Sequence, residues 1–227
     1  FRSTIEAFLR EEKIKILPLI DANRKLTKVA SDEEAYLNLN NKIVKCGGTP
    51  YLIAEIGVNH NGSIDEAFSL ISSAAQSGCD AVKFQHRSQK LYNKKLLDSF
   101  DLGTQYIISQ IDKTRFLIDD LKKCIDFSKN NNLDVIITPF DNFALDEITT
   151  FEDDLVAYKI ASCDLTNLPL LEEVIKRGKS FIASTGMSFE REIIQTSEFL
   201  KKSWINHAFL DRKSTRLNSS HRCISYA

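Results

Sequence analysis

The sequence predicts an α/β fold, a (β/α)8 barrel that is incomplete, with about five to six strand–helix units present. Three observations lead there. Short apolar strands alternate with helical stretches, the pattern of a parallel sheet crossed by helices. The repeats occupy Tyr51 to Leu210, 160 residues, where a closed barrel takes roughly 250. Successive strands also end in polar residues, as barrel strands do at their active-site face. An open doubly wound sheet, the alternative, would carry a Gly-rich phosphate loop after its first strand. Gly57-Val-Asn-His-Asn-Gly62 does not fit the G-x-G-x-x-G spacing.

The first unit sets the pattern. Tyr51-Leu-Ile-Ala runs as a strand into Glu55, and Gly57 and Gly62 bracket a turn. Ser63-Ile-Asp-Glu66 then reads as a capping box, with the hydroxyl on the first free amides and the carboxylate reaching back. Ala67, Phe68, Leu70, Ile71, Ala74 and Ala75 recur at helical spacing until Gly78 stops the helix. The second strand is Ala81-Val-Lys-Phe-Gln-His86, followed by a long polar loop over 87–113 and a helix over 115–130 with Phe116, Leu117, Leu121, Ile125 and Phe127 near one side. Strand three is Asp134 to Phe140, with a short helix over about 142–151. Strand four is Val156 to Ser162, and its helix runs from Leu168 to Gly178. Strand five is Ser180 to Met187, with a helix from about 189 to 202, and Asn206 to Leu210 opens strand six.

Both ends differ in texture from this core. Residues 1–45 read as a helix end at Ile5–Leu9, a strand at Ile14–Ile20, a turn at Asp21–Arg24 and a second strand at Lys25–Ala30; Ser31 to Gly48 is polar and reads as a linker. The order of these elements in "KILPLIDANRKLTKVA" resembles the closing half of a CBS module, an adenosine-nucleotide sensor; an unrelated β-hairpin is the plainer reading. With Phe1 in first place, the segment is expected to be the end of a larger domain. The stretch 211–227, "DRKSTRLNSSHRCISYA", lacks strand or helix periodicity and resembles translated sequencing-adapter read-through, which marks it as a non-native tail outside the fold.

Composition narrows the function. A net charge of −1 argues against a general nucleic-acid binder. No apolar run approaches the roughly 18 residues of a membrane helix. Five cysteines without a close pair argue against a disulfide framework or zinc knuckle and point to the reducing cytoplasm.

The strand ends carry the chemistry. Glu55 closes strand one, while Lys83 and Gln85 stand two apart, and so on one side, in strand two. Thr138 ends strand three; Lys159 and Ser162 belong to strand four and Ser184 to strand five, with Asn59, His60 and Asp164 in the loops. Two lysines inside apolar strands are costly unless an anion meets them, which points to a phosphate- or carboxylate-bearing substrate. Each residue also has a plain structural reading: Glu55 as the partner of Lys83 or Lys159, either lysine as a snorkelling edge residue, His60 as a loop hydrogen-bond donor, Thr138 as a strand end.

"AEIGVNHNG", "DAVKFQ", "ITPFD", "YKIASCDLTNLPLL" and "ASTGM" follow one another in order. Together they resemble the N-acetylneuraminate synthase family, the sialic-acid and related nonulosonate synthases, over about Tyr51 to Ser203. The resemblance implies a TIM barrel that condenses phosphoenolpyruvate with an N-acetylated hexose such as N-acetylmannosamine and releases phosphate. It implies 46–210 as the N-terminal part of that barrel, and a homodimer at full length. Lys83, Thr138, Lys159, Ser162 and Ser184 fall where the family holds phosphoenolpyruvate, and Gln85 where it contacts the sugar. Glu55 matches the acidic residue near the reacting carbons, and Asp164 stands where many members carry Glu. A divalent ion, Mn2+ or Mg2+, is implied for the complete enzyme, with ligands on strands beyond this chain. The rival readings are a CBS-type nucleotide-sensing regulatory protein and another phosphoenolpyruvate-dependent, aldol-type barrel enzyme.

Overall fold

The computed structural model describes residues 16–20, 26–31, 36–40, 42–45, 48–88, 90, 102–200 and 207–210. They fall into two compact units: a central one, Leu52–Leu155, and a flanking one made of Phe1–Tyr51 with Val156–Ala227. Neither unit has a helix long and apolar enough to cross a membrane among the described residues.

The flanking unit opens with two hairpins. Strands β1 (Ile16–Ile20) and β2 (Leu26–Ser31) pair antiparallel, in the strand–turn–strand order read from the sequence. The expected helix end at Ile5–Leu9 and the turn at Asp21–Arg24 lie outside the described residues, as does the 211–227 tail. Strands β3 (Tyr36–Leu39) and β4 (Lys42–Lys45) correct the linker expected over Ser31–Gly48. The signal was a two-residue alternation: Leu37, Leu39 and Val44 are buried while Asn38 and Ile43 are exposed. Asn40, at φ +44°, takes the left-handed turn conformation that asparagine tolerates. The Ser180 hydroxyl donates to the Asn38 carbonyl at 2.9 Å, tying this hairpin to a later segment of the same unit.

In the central unit three parallel strands run side by side: β5 (Ile53–Gly57), β6 (Ala81–His86) and β7 (Asp134–Pro139). Helix α1 (Ile64–Gln76) covers β5 and β6 with Ala67, Ile71 and Ala74, one buried stripe at helical spacing. Half of the expected capping box forms. Ser63 Oγ accepts from the Glu66 amide at 3.3 Å, but the Ser63 amide donates to the His60 carbonyl. Helix α2 (Leu102–Thr114) occupies much of the stretch read as polar loop, with Ile108 buried. Helix α3 (Ile118–Asn130) starts three residues later than expected, so Leu117 lies outside it, 61% exposed. Leu121 and Ile125 are fully buried, and Phe127 stacks on Phe68 of α1 with centroids 4.3 Å apart. Helix α4 (Asn142–Ile148) starts at Asp141, whose carboxylate accepts from the Ala144 amide at 2.7 Å, and a 3-10 turn over Thr149–Asp154 closes the unit.

The flanking unit resumes with β8 (Ala157–Ile160), a 3-10 turn at Ser162–Asp164 and α5 (Leu168–Lys176). It continues through β9 (Phe181–Ser184), α6 (Glu190–Leu200) and β10 (His207–Leu210). β8 and β10 each pair parallel to β9. Every strand from β5 to β9 is thus followed by helix, as the spacing implied.

Two glycines with nearly equal backbone conformations provide a test. Gly62 (φ +79°) and Gly78 (φ +75°) are both left-handed, but a Cβ at Gly62 would lie 2.3 Å from the Lys113 carbonyl oxygen, whereas one at Gly78 meets nothing within 4 Å. Gly78→Ala should cost about 1–2 kcal/mol, the strain of a left-handed L-residue. Gly62→Ala should cost clearly more, because backbone has to move. Urea unfolding of both variants checks the order; equal midpoints would contradict it.

Candidate active site

The central unit gathers four of the expected residues on one face. In parallel strands residues in register share a face, and residues two apart return to it. Glu55 is in register with Lys83, and Gln85 with Thr138. Lys83 is 4% exposed and lies 2.5 Å from Glu55 Oε2, so of the two partners weighed for Glu55 the structure pairs it with Lys83. Just after this pair the register shifts, and Gly57, at φ +53°, comes level with Phe84. A Cβ at Gly57 would stand 3.3 Å from Gln85 Nε2, so the glycine leaves that amide its place. Thr138 is 1% exposed, and its hydroxyl has no hydrogen-bond partner among the described residues.

Another polar cluster occupies the exit of β6, built from residues that the sequence reading did not single out. His86, 2% exposed, alternates to the opposite face from Gln85. Its Nε2 lies 2.8 Å from Glu147 Oε2. A carboxylate only accepts, so this nitrogen carries the proton and Nδ1 holds a lone pair, unpartnered among the described residues. Ser88 Oγ donates to the other Glu147 oxygen at 2.6 Å, and the Ser88 amide to Asp141 at 3.3 Å. The Arg87 guanidinium lies over the Phe140 ring, 3.5 Å from its centroid. These links join residues more than 50 apart, and no local pattern announces them.

His60 has the loop role weighed for it. The Gly62 amide donates to Nδ1 at 3.1 Å, Nε2 donates to the Gly57 carbonyl at 3.2 Å, and the ring stacks on Phe116 at 3.7 Å. With both nitrogens engaged, it is a brace for the turn after β5.

The flanking unit holds the remaining candidates. Lys159 on β8 is in register with Ile182, so it shares a face with Ser184, two residues on and buried. Ser162 and Asp164 lie in the 3-10 turn that follows β8. The Asp164 carboxylate is engaged within its own turn, accepting from Asn167 Nδ2 and from Cys163 Sγ, each at 3.4 Å. Among the described residues no three His, Cys, Asp or Glu side chains form a group able to hold a metal ion. The divalent ion implied by the resemblance therefore has no ligand set among the described residues.

The chain is similar to known proteins in both sequence and fold. The sequence profile of the NeuB family matches residues 70–214. The chain is 35% identical over 158 residues to N,N'-diacetyllegionaminic acid synthase of Campylobacter jejuni, covering 67% of this chain and 47% of that protein. It is 31% identical over 157 residues to the spore coat polysaccharide biosynthesis protein SpsE of Bacillus subtilis, covering 66% and 41%. The chain thus spans about half the length of the curated relatives it matches. The crystal structure of N-acetylneuraminic acid synthetase from Leptospira borgpetersenii, in complex with citrate, superimposes with a TM-score of 0.69 at 25% identity, over 82% of this chain and 61% of that one. A truncated 3-deoxy-D-arabino-heptulosonate 7-phosphate synthase from Thermotoga maritima, at 11% identity, TM-score 0.58 and coverage of 84% and 61%, shares the fold alone. The fold class read from the sequence holds: α/β of the (β/α)8-barrel type, with five strand–helix units and a sixth strand among the described residues.

The buried imidazoles give stability a pH dependence. Burial holds His60 and His86 below the usual imidazole range, against the opposing pull of Gly57 and Glu147. Burial pushes the Glu147 carboxyl up, but hydrogen bonds from Ser88 and His86 and the Lys90 charge outweigh it and hold it below its ordinary value. All three groups bind fewer protons folded than unfolded, so stability rises with pH across their titrations. The histidine contribution is complete above about pH 6.5, the unfolded value, and is lost as pH falls toward the lower folded values. The Glu147 contribution is present above about pH 4.3 and lost as pH falls through its folded value. The urea midpoint should therefore drop between about pH 7.5 and pH 5.5, and His86→Gln should flatten that drop. A midpoint that does not move would contradict it.

Proposed function

Because the chain belongs to the NeuB family, we propose that it serves a nonulosonate synthase, condensing phosphoenolpyruvate with an N-acetylated hexose, N-acetylmannosamine or a related sugar. The observation that carries this reading is the buried Lys83 on one strand-end face with Glu55, Gln85 and Thr138. Glu55 meets the buried Lys83 charge, and the unpartnered Thr138 hydroxyl on the same face adds a donor, so the strand ends offer a phosphate ester with a carboxylate both charge and hydrogen bonds.

In this reading Lys83 and Lys159 hold phosphate and carboxylate through charge-assisted contacts, with Thr138, Ser162 and Ser184 adding hydroxyl donors. Gln85 contacts the sugar. C3 of the enol phosphate bonds to the aldehyde carbon, whose oxygen gains a proton; water adds at C2, and inorganic phosphate leaves. Glu55, with Asp164, handles the proton or the water. Dependence on Mn2+ or Mg2+, a homodimer and a cytoplasmic location belong to the same proposal for the whole protein. We divide the chain into a CBS-like segment (1–45) that ends in the β3–β4 hairpin, the barrel (46–210) and a non-native tail (211–227). The β1–β2 hairpin is compatible with the CBS-like reading and a nucleotide-sensing role, and equally with an unrelated hairpin. Stabilisation of the fold by AMP or ATP, with no effect of phosphoenolpyruvate, would favour that role over the synthase.

The reaction is tested in the protein that carries this chain, by phosphate release from phosphoenolpyruvate with N-acetylmannosamine and with its 6-deoxy and diamino relatives. Turnover with an unacetylated aldose phosphate alone would instead favour another aldol-type barrel enzyme. Lys83→Met and Lys159→Met should each raise the KM for phosphoenolpyruvate roughly tenfold to a hundredfold, the loss of one charged hydrogen bond. Normal phosphoenolpyruvate kinetics in both would make the lysines structural. Glu55→Gln should lower kcat by about 10²–10⁴, the range of a general acid–base group. A kcat within a few fold of wild type would leave Glu55 as an anchor only.

A further inference from the structure

We propose that Glu55 is the resident occupant of the anion seat on Lys83. An incoming phosphate or carboxylate displaces it, so that ligand binding and release of the Glu55 side chain are a single exchange, resting on the reading of the β5–β7 strand ends as an anion site.

The two partners of the pair differ in freedom. Lys83 is 4% exposed and sits inside β6, with β5 on one side and β7 on the other. Glu55 is 24% exposed, sits near the end of β5, and is followed at once by the register shift and the left-handed Gly57. Withdrawn from its partner, the ammonium would be buried without a counter-charge, whereas the carboxylate can turn into water at small cost. If the contact opens, Glu55 is the side chain that moves.

The carboxylate also leaves the seat incompletely used. Its Oε2 meets Lys83, while the Thr138 hydroxyl, 1% exposed and on the same face, has no hydrogen-bond partner among the described residues. A tetrahedral oxyanion accepts from several donors at once, so it can take the ammonium and the hydroxyl together. Lysine suits such an exchange. Its compact charge and three rotatable donors pass from one oxygen to another without the fixed fork that guanidinium imposes. Because the seat is filled until the ligand arrives, Lys83 always has a counter-charge, and Glu55 is set free only when phosphoenolpyruvate is in place.

The test is binding of inorganic phosphate and of phosphoenolpyruvate by calorimetry to the chain and to Glu55→Gln, Glu55→Asp and Lys83→Met. Displacement predicts that Glu55→Gln binds phosphate about tenfold more tightly, the least that removal of a charged competitor implies, and that Lys83→Met does not bind it. Glu55→Asp separates contact from field. It keeps the charge but shortens the reach by one methylene, so displacement predicts tighter binding there too, and a simple field effect predicts none. Phosphate that binds the wild type but no more tightly to Glu55→Gln overturns the exchange and leaves the anion site standing. If neither protein binds phosphate or phosphoenolpyruvate, the anion-site reading itself falls, and the exchange with it. Should Glu55→Gln lose its cooperative melt, a structure of the unaltered chain at saturating phosphate decides. An opened Lys83–Glu55 contact with phosphate on Nζ supports the proposal, and an intact contact overturns it.

Discussion

The Lys83 ammonium has to be met by a negative charge inside a wall of apolar strands, and much of the central unit follows from that. Its neighbours Ala81, Val82 and Phe84 are fully buried. An unpaired charge in that position would cost more than a typical domain can spare from a net stability of about 5–15 kcal/mol. The register of β5 against β6 is therefore fixed. A slip of one residue would bring Ala54 or Ile56 opposite Lys83, strand the ammonium and turn the apolar side chains of β5 to the wrong face. The pair specifies the alignment of two strands that carry proposed site residues, and the shift at Gly57 then lets the chain leave β5 beside Gln85. Buried ion pairs add little net stability but can impose uniqueness, and here the pair acts on register.

The opposite face of β6 is held by different means. His86, Ser88 and Glu147 form a hydrogen-bonded set in which one carboxylate takes two donors, and Asp141 both caps α4 and accepts from the Ser88 amide. The exit of β6 is thereby anchored to α4, while Lys83 and Gln85 look the other way. With one end fixed on both faces, β6 can present its site residues at a constant height along the strand. Preorganisation of this kind is what a site needs if its donors are to act without rearranging for each ligand.

The sequence made the periodic parts of this arrangement legible and left the paired parts hidden. Short apolar runs located every strand from β5 to β10 to within a few positions, because a parallel strand buried on both faces leaves a near-continuous apolar run in the chain. The polar residues at strand ends were visible for the same reason: Lys83 interrupts an apolar run, and Gln85 follows it by the two residues that return to its face. The β3–β4 hairpin was missed because Asn38, Asn40, Asn41 and the lysines at both ends of β4 break up its apolar residues, so no apolar run stands out. Helix α2 was missed because its sequence is largely polar around one buried Ile108. The links of His86 and Ser88 to Glu147 were beyond reach, since nothing near Glu147 marks it as the partner of a strand end about sixty residues earlier. Half of the capping box failed for a related reason: the Ser63 amide was already taken by the His60 carbonyl.

The two carboxylates proposed for the chemistry differ in a way that the sequence alone does not rank. Asp164 is the shorter by one methylene and is engaged inside its own turn, by Asn167 and Cys163. Glu55 has the longer reach, a cation as its partner and the register shift immediately behind it. For a group that must act once a ligand is bound, reach and a partner that can be exchanged matter more than a fixed local contact. A carboxylate engaged by neighbouring side chains has to break hydrogen bonds that nothing incoming replaces. One held by a lysine gives up its contact to the substrate's own oxygen, so the ammonium is never left bare. Within the proposed reaction this argument puts Glu55 ahead of Asp164 for the proton or the water, while Asp164 also shapes the turn that carries Ser162.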